Sequence, residues 1–169
     1  MERKNLWAPW RMEYIEALSE ADGCFICGYI AEPGRDKSNF VLWRTAKCLV
    51  VFNRFPYNNG HLLIAPMRHI EGLGDATDDE LLEMTKLCRD CQTALSAAIS
   101  PHGFNIGMNF GRCAGAGLPG HMHIHVVPRW DGDTSFMHVC SGTDVISQSM
   151  TELYELLKQI SLEKNLPNL

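Results

Sequence analysis

The segment GHMHIHVVPRW, residues 120–130, places a histidine at every second position. Successive side chains of a β-strand point to opposite faces of the sheet. This alternation predicts a strand from His121 to Val127, with apolar residues on one face. His121, His123 and His125 then share the other face, over roughly 13 Å. A chain with this pattern needs a sheet that buries one side of the strand and leaves a row of imidazoles on the other.

Other segments predict the rest of the sheet and its helices. Short runs rich in β-formers indicate four further strands: Val41–Trp43, Cys48–Asn53, His61–Ala65 and Phe104–Phe110. The turn-forming sequence FPYNNG makes the second and third of these antiparallel neighbours. Apolar residues at three- and four-residue spacing predict a long helix from Asp75 to Ser100, stopped by Pro101.

We expect Thr77 and Glu80 to form a capping box at the start of this helix. A second helix is predicted from about Met150 to Lys164, and the stretch from Ala31 to Ser38 reads as an exposed loop. The expected fold class is α+β, with one antiparallel sheet of about five strands, a long helix and a C-terminal helix.

Composition narrows the functional classes. A chain of 169 residues fits one domain, and it has no apolar run long enough for a membrane span. Its start, MERKNLWAPWRMEYIEALSE, lacks the apolar region of a secretory signal, so we expect a cytoplasmic protein. The net charge of −5, without a run of Lys or Arg, argues against nucleic acid as a partner. Seven scattered cysteines indicate reduced thiols or a metal site.

The row of histidines suggests chemistry at phosphorus. A neutral imidazole attacks phosphorus when an acceptor on its second nitrogen fixes the tautomer. His123, in the middle, is flanked by two imidazoles that can bind phosphate oxygens or a leaving group, so it is the predicted nucleophile. The alternative is a catalytic zinc ion held by all three histidines.

Together with other motifs, HMHIHVVPRW resembles the histidine triad (HIT) family pattern, His-x-His-x-His followed by two apolar residues. The resemblance extends over LWAPWRMEYI, CFIC, NRFPYNNGHLLIAP, HGFNIGMNFG and PRWDGDTSFM. It is strongest to short bacterial members similar to diadenosine tetraphosphate phosphorylases. It implies a HIT-like fold, a nucleotidyl-histidine intermediate, and a homodimer in which the segment after Trp130 reaches the partner's site.

The resemblance also implies roles for individual residues. His123 would be the nucleophile, His125 would contact the reacting phosphate, and His61 would support the triad. Asn53 matches the position that holds the ribose hydroxyls, and the alternative is a turn-forming Asn after a strand. Asn109 matches an amide that contacts phosphate or orients the site, and the alternative is a strand-end Asn.

The loop before the first histidine departs from the common family pattern. Many relatives have Gln and then Ser or Thr where this chain has Gly117 and Leu118. Backbone N–H groups of residues 115–120 could contact phosphate in their place, because glycines permit close approach. The alternative is a flexible connector.

The cysteine pair of CFIC has a spacing that suits zinc, but it needs two further ligands. The pair Cys88 and Cys91 lies on the apolar stripe of the long helix and is interpreted as core. The resemblance implies a closed structural zinc site with two cysteines and two histidines as ligands: Cys24, Cys27, His69 and His121. The alternative is reduced core thiols with a surface His69.

The leading hypothesis is a nucleotide hydrolase or nucleotidyl transferase that cleaves diadenosine polyphosphates at the α-phosphate, with water or inorganic phosphate as acceptor. The alternatives are a low-turnover purine nucleotide-binding protein and a zinc metallohydrolase. We expect one domain over residues 1–169, with a zinc-binding segment at about 1–30 and a C-terminal extension at about 130–169.

Overall fold

The fold is built on one five-stranded sheet, as a computed structural model describes it for residues 23–133 and 148–169. The strands are β1 (Val41–Arg44), β2 (Cys48–Phe52), β3 (Leu62–Pro66), β4 (Gly103–Met108) and β5 (Ile124–Arg129). Their order is β1-β2-β3-β5-β4, and every neighbouring pair is antiparallel. The described helices are α1 (Phe25–Ala31), α2 (Asp78–Ile99) and α3 (Met150–Glu163). The predicted fold class is confirmed.

Some expectations fall outside the described residues. These are the interpretation of MERKNLWAPWRMEYIEALSE, the beginning of the proposed zinc-binding segment, and residues 134–147 of the segment after Trp130.

The prediction that the three histidines share one strand is wrong for the first two. β5 begins at Ile124, so His125 lies in the strand whereas His121 and His123 precede it. The ladder between β3 and β5 ends at the pair Ile64 and Ile124. Beyond it, the Pro66 carbonyl meets the imidazole Nε2 of His121 at 2.8 Å instead of a backbone N–H. A side-chain hydrogen bond thus replaces the ladder where the site begins.

The long helix is shorter at its start than predicted. α2 begins at Asp78, preceded by a 3₁₀ turn at Leu73–Asp75, and it ends at Ile99 just before Pro101. Thr77 and Glu80 form the predicted capping box. Cys88 and Cys91 are buried in the core, as predicted. Among the described helices, none is long and apolar enough to cross a membrane.

The two faces of the sheet are covered differently. One face, which we call the helix face, packs on α2 and α3 and forms the larger core. The opposite face, which we call the site face, packs on α1 in a smaller apolar cluster. The buried members of that cluster are Ile26, Val41, Leu49, Val51, Leu63 and Ala65. Because β2 and β3 are buried on both faces, they read as continuous apolar runs.

Helix α1 is absent from the expectations drawn from sequence, because seven residues are too few for a helical period to stand out. Cys24 is its N-cap, and the Cys24 sulfur accepts a hydrogen bond from the Cys27 N–H. At its other end, the Arg44 guanidinium donates to the Tyr29 and Ile30 carbonyls. The first end of α1 is therefore capped locally, and its last turn is tied to β1 through Arg44.

The Glu80 carboxylate provides a test of the fold. Its side chain is 5% exposed and pairs with Arg68, and it also accepts from the Thr77 N–H and hydroxyl. The hydrogen bond from Arg68 is the main cause that lowers the pKa of Glu80 to about 2, from an ordinary 4.5. A lowered carboxylate pKa stabilises the fold above pH 4.5, and that stabilisation is lost as the pH falls towards 2.

We predict that Glu80→Gln lowers the free energy of unfolding at pH 7 by about 1–3 kcal/mol, as expected for hydrogen bonds to a charged group. The difference from wild type should shrink between pH 4.5 and pH 2, which urea unfolding at several pH values measures. Glu71→Gln, at an exposed position, is the control. A difference that does not depend on pH would contradict the assignment.

Candidate functional site

The site lies on the site face, where neighbouring strands bring three predicted residues together. Leu63 of β3 pairs directly with His125 of β5, so both side chains point to the same face. His61 precedes Leu63 by two residues and therefore also points there. Asn53 faces His61 across the hairpin, since the Asn53 N–H donates to the His61 carbonyl at 2.9 Å.

His61 is 1% exposed, and the groups around it define its tautomer. The Tyr57 backbone N–H donates to His61 Nδ1 at 3.1 Å, and the Asn53 amide nitrogen lies 3.3 Å from the same atom. A backbone N–H is only a donor, so Nδ1 carries the lone pair and Nε2 carries the proton. Burial, followed by the nearby imidazoles of His125 and His123, holds the pKa of His61 well below its ordinary value.

The tautomer of His61 determines that of His125. His61 Nε2 lies 2.9 Å from His125 Nδ1, and Nε2 is the protonated atom, so it donates to His125. A neutral His125 therefore carries its own proton on Nε2. His125 is half-buried, and its ring centroid lies 4.9 Å from that of His123.

His123 is held by the backbone. Its Nδ1 lies 2.9 Å from the His121 carbonyl, which is only an acceptor, so Nδ1–H donates and Nε2 carries the lone pair. The ring is 8% exposed, and burial lowers its pKa, although the hydrogen bond to His121 opposes this shift. A neutral imidazole with a bare Nε2 is the form that attacks an electrophile.

His121 belongs to a different group of side chains. Its Nε2–H donates to the Pro66 carbonyl at 2.8 Å, so Nδ1 carries the lone pair. That Nδ1 lies 3.2 Å from the Cys24 sulfur and 3.5 Å from the Cys27 sulfur. His69 Nδ1 lies 3.2 Å from the Cys27 sulfur, and one ligand atom from each of the four side chains falls within 4.8 Å of all the others.

These distances suit a tetrahedral metal. Zinc bonds of about 2.3 Å to sulfur and 2.0–2.1 Å to nitrogen place sulfur and nitrogen ligands about 3.6 Å apart. Within residues 23–133 and 148–169, this is the group of at least three His, Cys, Asp or Glu side chains whose ligand atoms converge. Without a cation, burial and the neighbouring Cys24 raise the pKa of Cys27 to about 11.

The glycine-rich loop, residues 111–120, contains Gly117 and Leu118 and follows Asn109. Asn109 follows β4, and its amide nitrogen lies 3.5 Å from the Gly115 carbonyl, so it contacts the loop rather than a histidine. Leu118 packs on the apolar cluster of the site face, and Gly117 is half-buried. Contacts of Asn109, Gly117 and Leu118 with phosphate remain predictions.

Asn53 combines two features. Its amide nitrogen lies on His61, and its Oδ1 accepts from the Phe55 N–H at 3.0 Å, which is the turn geometry considered as the alternative from the sequence. Asn53 is 7% exposed. Its contact with a ribose remains a prediction.

Two residues of the site environment are absent from the expectations drawn from sequence. Tyr57, interpreted only as part of a turn, stacks on His125. Asp133 accepts from Asn58, from Trp130 and from two nitrogens of Arg129, and the Arg129 pair lowers the Asp133 pKa to about 2. The contact with Asn58 ties the loop before His61 to the end of β5. An isolated aspartate or tyrosine in a turn gives no signal of such long-range contacts.

Comparison with known proteins agrees with this architecture. The model of the HIT domain family matches residues 35–132, which is more than half of the chain. The chain belongs to the HIT family. The match includes His61, Asn109 and the triad.

Individual relatives support the assignment. An AP-4-A phosphorylase of Mycobacterium tuberculosis is 36% identical over 164 residues, covering 91% of this chain and 82% of that protein. A bis(5'-nucleosyl)-tetraphosphatase (asymmetrical) of Schizosaccharomyces pombe is 34% identical over 95 residues, covering 56% of this chain and 52% of that protein. Both are named as enzymes, which confirms the prediction of an enzyme.

A solved structure shares the fold. A Zn-bound histidine triad family protein of Mycobacterium smegmatis superposes with a TM-score of 0.67 at 24% identity, covering 85% of this chain and 98% of that one.

The tautomers are testable without a substrate. In long-range ¹H–¹⁵N NMR spectra at pH 7, we expect His61 and His125 to be protonated on Nε2 and His123 on Nδ1. His61 should remain neutral at pH 6.5, where an ordinary histidine is half-protonated, because its pKa is lowered. A His61 protonated on Nδ1 would contradict the hydrogen bond from Tyr57.

Proposed function

We propose that this HIT protein cleaves dinucleoside polyphosphates at the α-phosphate through a nucleotidyl-histidine intermediate on His123. The observation that carries the proposal is the hydrogen bond from His123 Nδ1–H to the His121 carbonyl, at 2.9 Å. It holds the lone pair on Nε2, while burial keeps the ring neutral, and a neutral ring with a bare Nε2 is the state required of a nucleophile.

The reaction then has two steps. His123 Nε2 forms a bond to the α-phosphorus, and the bond from that phosphorus to the bridging oxygen breaks, so the remaining nucleoside polyphosphate leaves with the electron pair. In the second step, an oxygen of water or inorganic phosphate bonds to the phosphorus, the P–N bond breaks and its electron pair returns to His123 Nε2. An attacking water loses one proton to solvent. His123 is thereby regenerated.

His125 supports this chemistry as a donor. Because His61 Nε2–H donates to His125 Nδ1 at 2.9 Å, His125 donates from Nε2 towards a phosphate oxygen. Donors that are already oriented stabilise the charge that develops on such oxygens during the reaction. His61 acts through His125 as a positioning residue.

The substrate class rests on the relatives. The protein of Mycobacterium tuberculosis is named an AP-4-A phosphorylase, and that of Schizosaccharomyces pombe a bis(5'-nucleosyl)-tetraphosphatase. They support a diadenosine polyphosphate as substrate here, with inorganic phosphate as one acceptor and water as the other. Asn53 and Asn109 are proposed to contact the ribose and phosphate, together with the backbone at Gly117 and Leu118.

The geometry argues against both alternatives. A metal held by all three histidines would need His121, whose Nε2 is bonded to Pro66 and whose Nδ1 faces two cysteine sulfurs. The hydrogen bonds from Tyr57 to His61 and from His61 to His125 fix the proton positions on both imidazoles. A protein that only binds nucleotide would not require this fixed pattern.

We predict that His123→Ala lowers kcat for diadenosine tetraphosphate by at least about a thousandfold, because the nucleophile is lost. Acid quenching of wild type followed by mass spectrometry should find a nucleotidyl group on His123. Products with and without inorganic phosphate identify the acceptor, since ADP formed only with phosphate indicates phosphorolysis. His102→Ala, at an exposed histidine, is the control. Full activity of His123→Ala would refute the mechanism.

We also propose that Cys24, Cys27, His69 and His121 bind a structural Zn²⁺. The donor set of two sulfurs and two imidazoles is a closed structural type, and the His121 Nε2–H bond to Pro66 orients Nδ1 as ligand. When bound, the ion would supply neutralisation of the thiolates and a cross-link between the start of α1, the end of β3 and the triad.

Removing one ligand tests the zinc site. Wild type should contain close to one zinc ion per chain, and His69→Ala should lower both the zinc content and the thermal unfolding midpoint. Elemental analysis and calorimetry measure the two effects. Cys113→Ser, at an exposed cysteine outside the cluster, is the matched control. Zinc content that is unaffected by His69→Ala would contradict the proposed zinc site.

A homodimer, a cytoplasmic location and the division into a zinc-binding segment, a domain and a C-terminal extension remain proposals. The exposed Ile106 on the edge strand β4 suits a dimer.

A further inference from the structure

The loop between β2 and β3 is held rigidly at several points, which gives its side chains defined positions. Gly60 has φ +76°, and a Cβ there would lie 2.9 Å from side-chain atoms of Leu95 and Ile99, so glycine is needed at this turn. Asn58 donates to Asp133 at 2.8 Å, and its carbonyl accepts from the His61 N–H at 3.3 Å. On the other side of Tyr57, the Phe55 N–H donates to Asn53 Oδ1 at 3.0 Å, so the loop is anchored both before and after Tyr57.

The Tyr57 ring lies against two imidazoles of the site. Its centroid is 5.7 Å from that of His125, with 26° between the planes, which is a stacked arrangement. The same ring is 4.7 Å from His61, at 38°. The two imidazoles that share the 2.9 Å hydrogen bond are thus in contact with one aromatic ring.

Stacking on Tyr57 restricts the rotation of the His125 ring, which the hydrogen bond from His61 does not restrict alone. An imidazole rotates about χ2 with two broad minima, and a half turn of His125 would exchange the places of its ring nitrogens and carbons. Contact with a flat ring disfavours the out-of-plane orientations through which such a turn must pass, while the hydrogen bond from His61 selects between the two in-plane orientations.

We propose that Tyr57 is a positioning residue of the site. Its ring holds His125 so that Nδ1 faces His61 and Nε2–H points towards the reacting phosphate. This role rests on the proposed function of His125. It is separate from the backbone N–H of Tyr57, which every substitution except proline retains. The contribution of the ring can therefore be measured alone.

The test compares Tyr57→Leu with Tyr57→Phe. Loss of the ring should lower kcat for diadenosine tetraphosphate on the order of 10- to 100-fold, the range expected for misplaced catalytic groups, with KM little changed. Tyr57→Phe should restore kcat because it keeps the ring. In ¹H–¹⁵N NMR spectra without substrate, Tyr57→Leu should broaden or mix the His125 tautomer signals, and Tyr57→Phe should leave them as in wild type.

Controls separate this role from stability and from the reaction mechanism. Tyr57 is 42% exposed, so the thermal midpoint should change little, and Tyr57→Met provides a second variant without a planar ring. Phe55→Leu, in the same loop, should leave the His125 signals unchanged. Unaltered kcat and His125 signals in both ring-less variants would overturn the proposal, as would a Tyr57→Phe variant as impaired as Tyr57→Leu.

The spectra remain informative whatever the reaction is. If His123→Ala kept full activity, the proposed function would fail while the effect of Tyr57 on the His125 tautomer could still be observed. If His123→Ala is inactive and the two ring-less variants keep both kcat and the His125 signals of wild type, the inference about Tyr57 alone fails.

Discussion

The hydrogen bond from the Tyr57 N–H to His61 Nδ1 sets the direction of the bonds that follow it. A backbone N–H cannot reverse its role, so the proton of His61 must lie on Nε2 and point at His125. The same logic applies to His123, whose partner is a backbone carbonyl. Main-chain groups, whose donor and acceptor roles are fixed, thereby impose one protonation pattern on side chains that could each adopt two.

The sheet makes this pattern possible because its two faces are covered by different elements. Packing against α2 and α3 buries the helix face in the larger core. On the site face, among the described residues, α1 packs on β1, β2 and β3, and His125 lies on the neighbouring strand β5. Desolvation by burial keeps the rings of His61 and His123 neutral. A fully exposed site would lose that bias, and a fully covered one would admit no substrate.

The sequence predicted most of the fold but less of the site. Strands and helices followed from periodicity, because apolar burial is what the periodicity encodes. The four residues with zinc-ligand chemistry were also identified, and the structure brings their ligand atoms within 4.8 Å of one another. The start of β5 was misplaced because alternation of side chains does not show where the backbone ladder ends. Tyr57 and Asp133 were missed because their partners are distant or are main-chain atoms, which leave no pattern in the chain.

His121 connects two parts of the molecule that would otherwise be independent. Its imidazole lies among the ligand atoms of the cysteine and histidine cluster, while its carbonyl accepts the Nδ1–H of His123. The His121 carbonyl is separated from His123 Nε2, the proposed nucleophilic atom, only by the rigid imidazole ring of His123. The proposed zinc site is therefore also placed to orient the proposed nucleophile, even though none of its ligands needs to touch the substrate. A change at His121 should therefore affect both the stability of the fold and the rate of turnover, because one residue serves both.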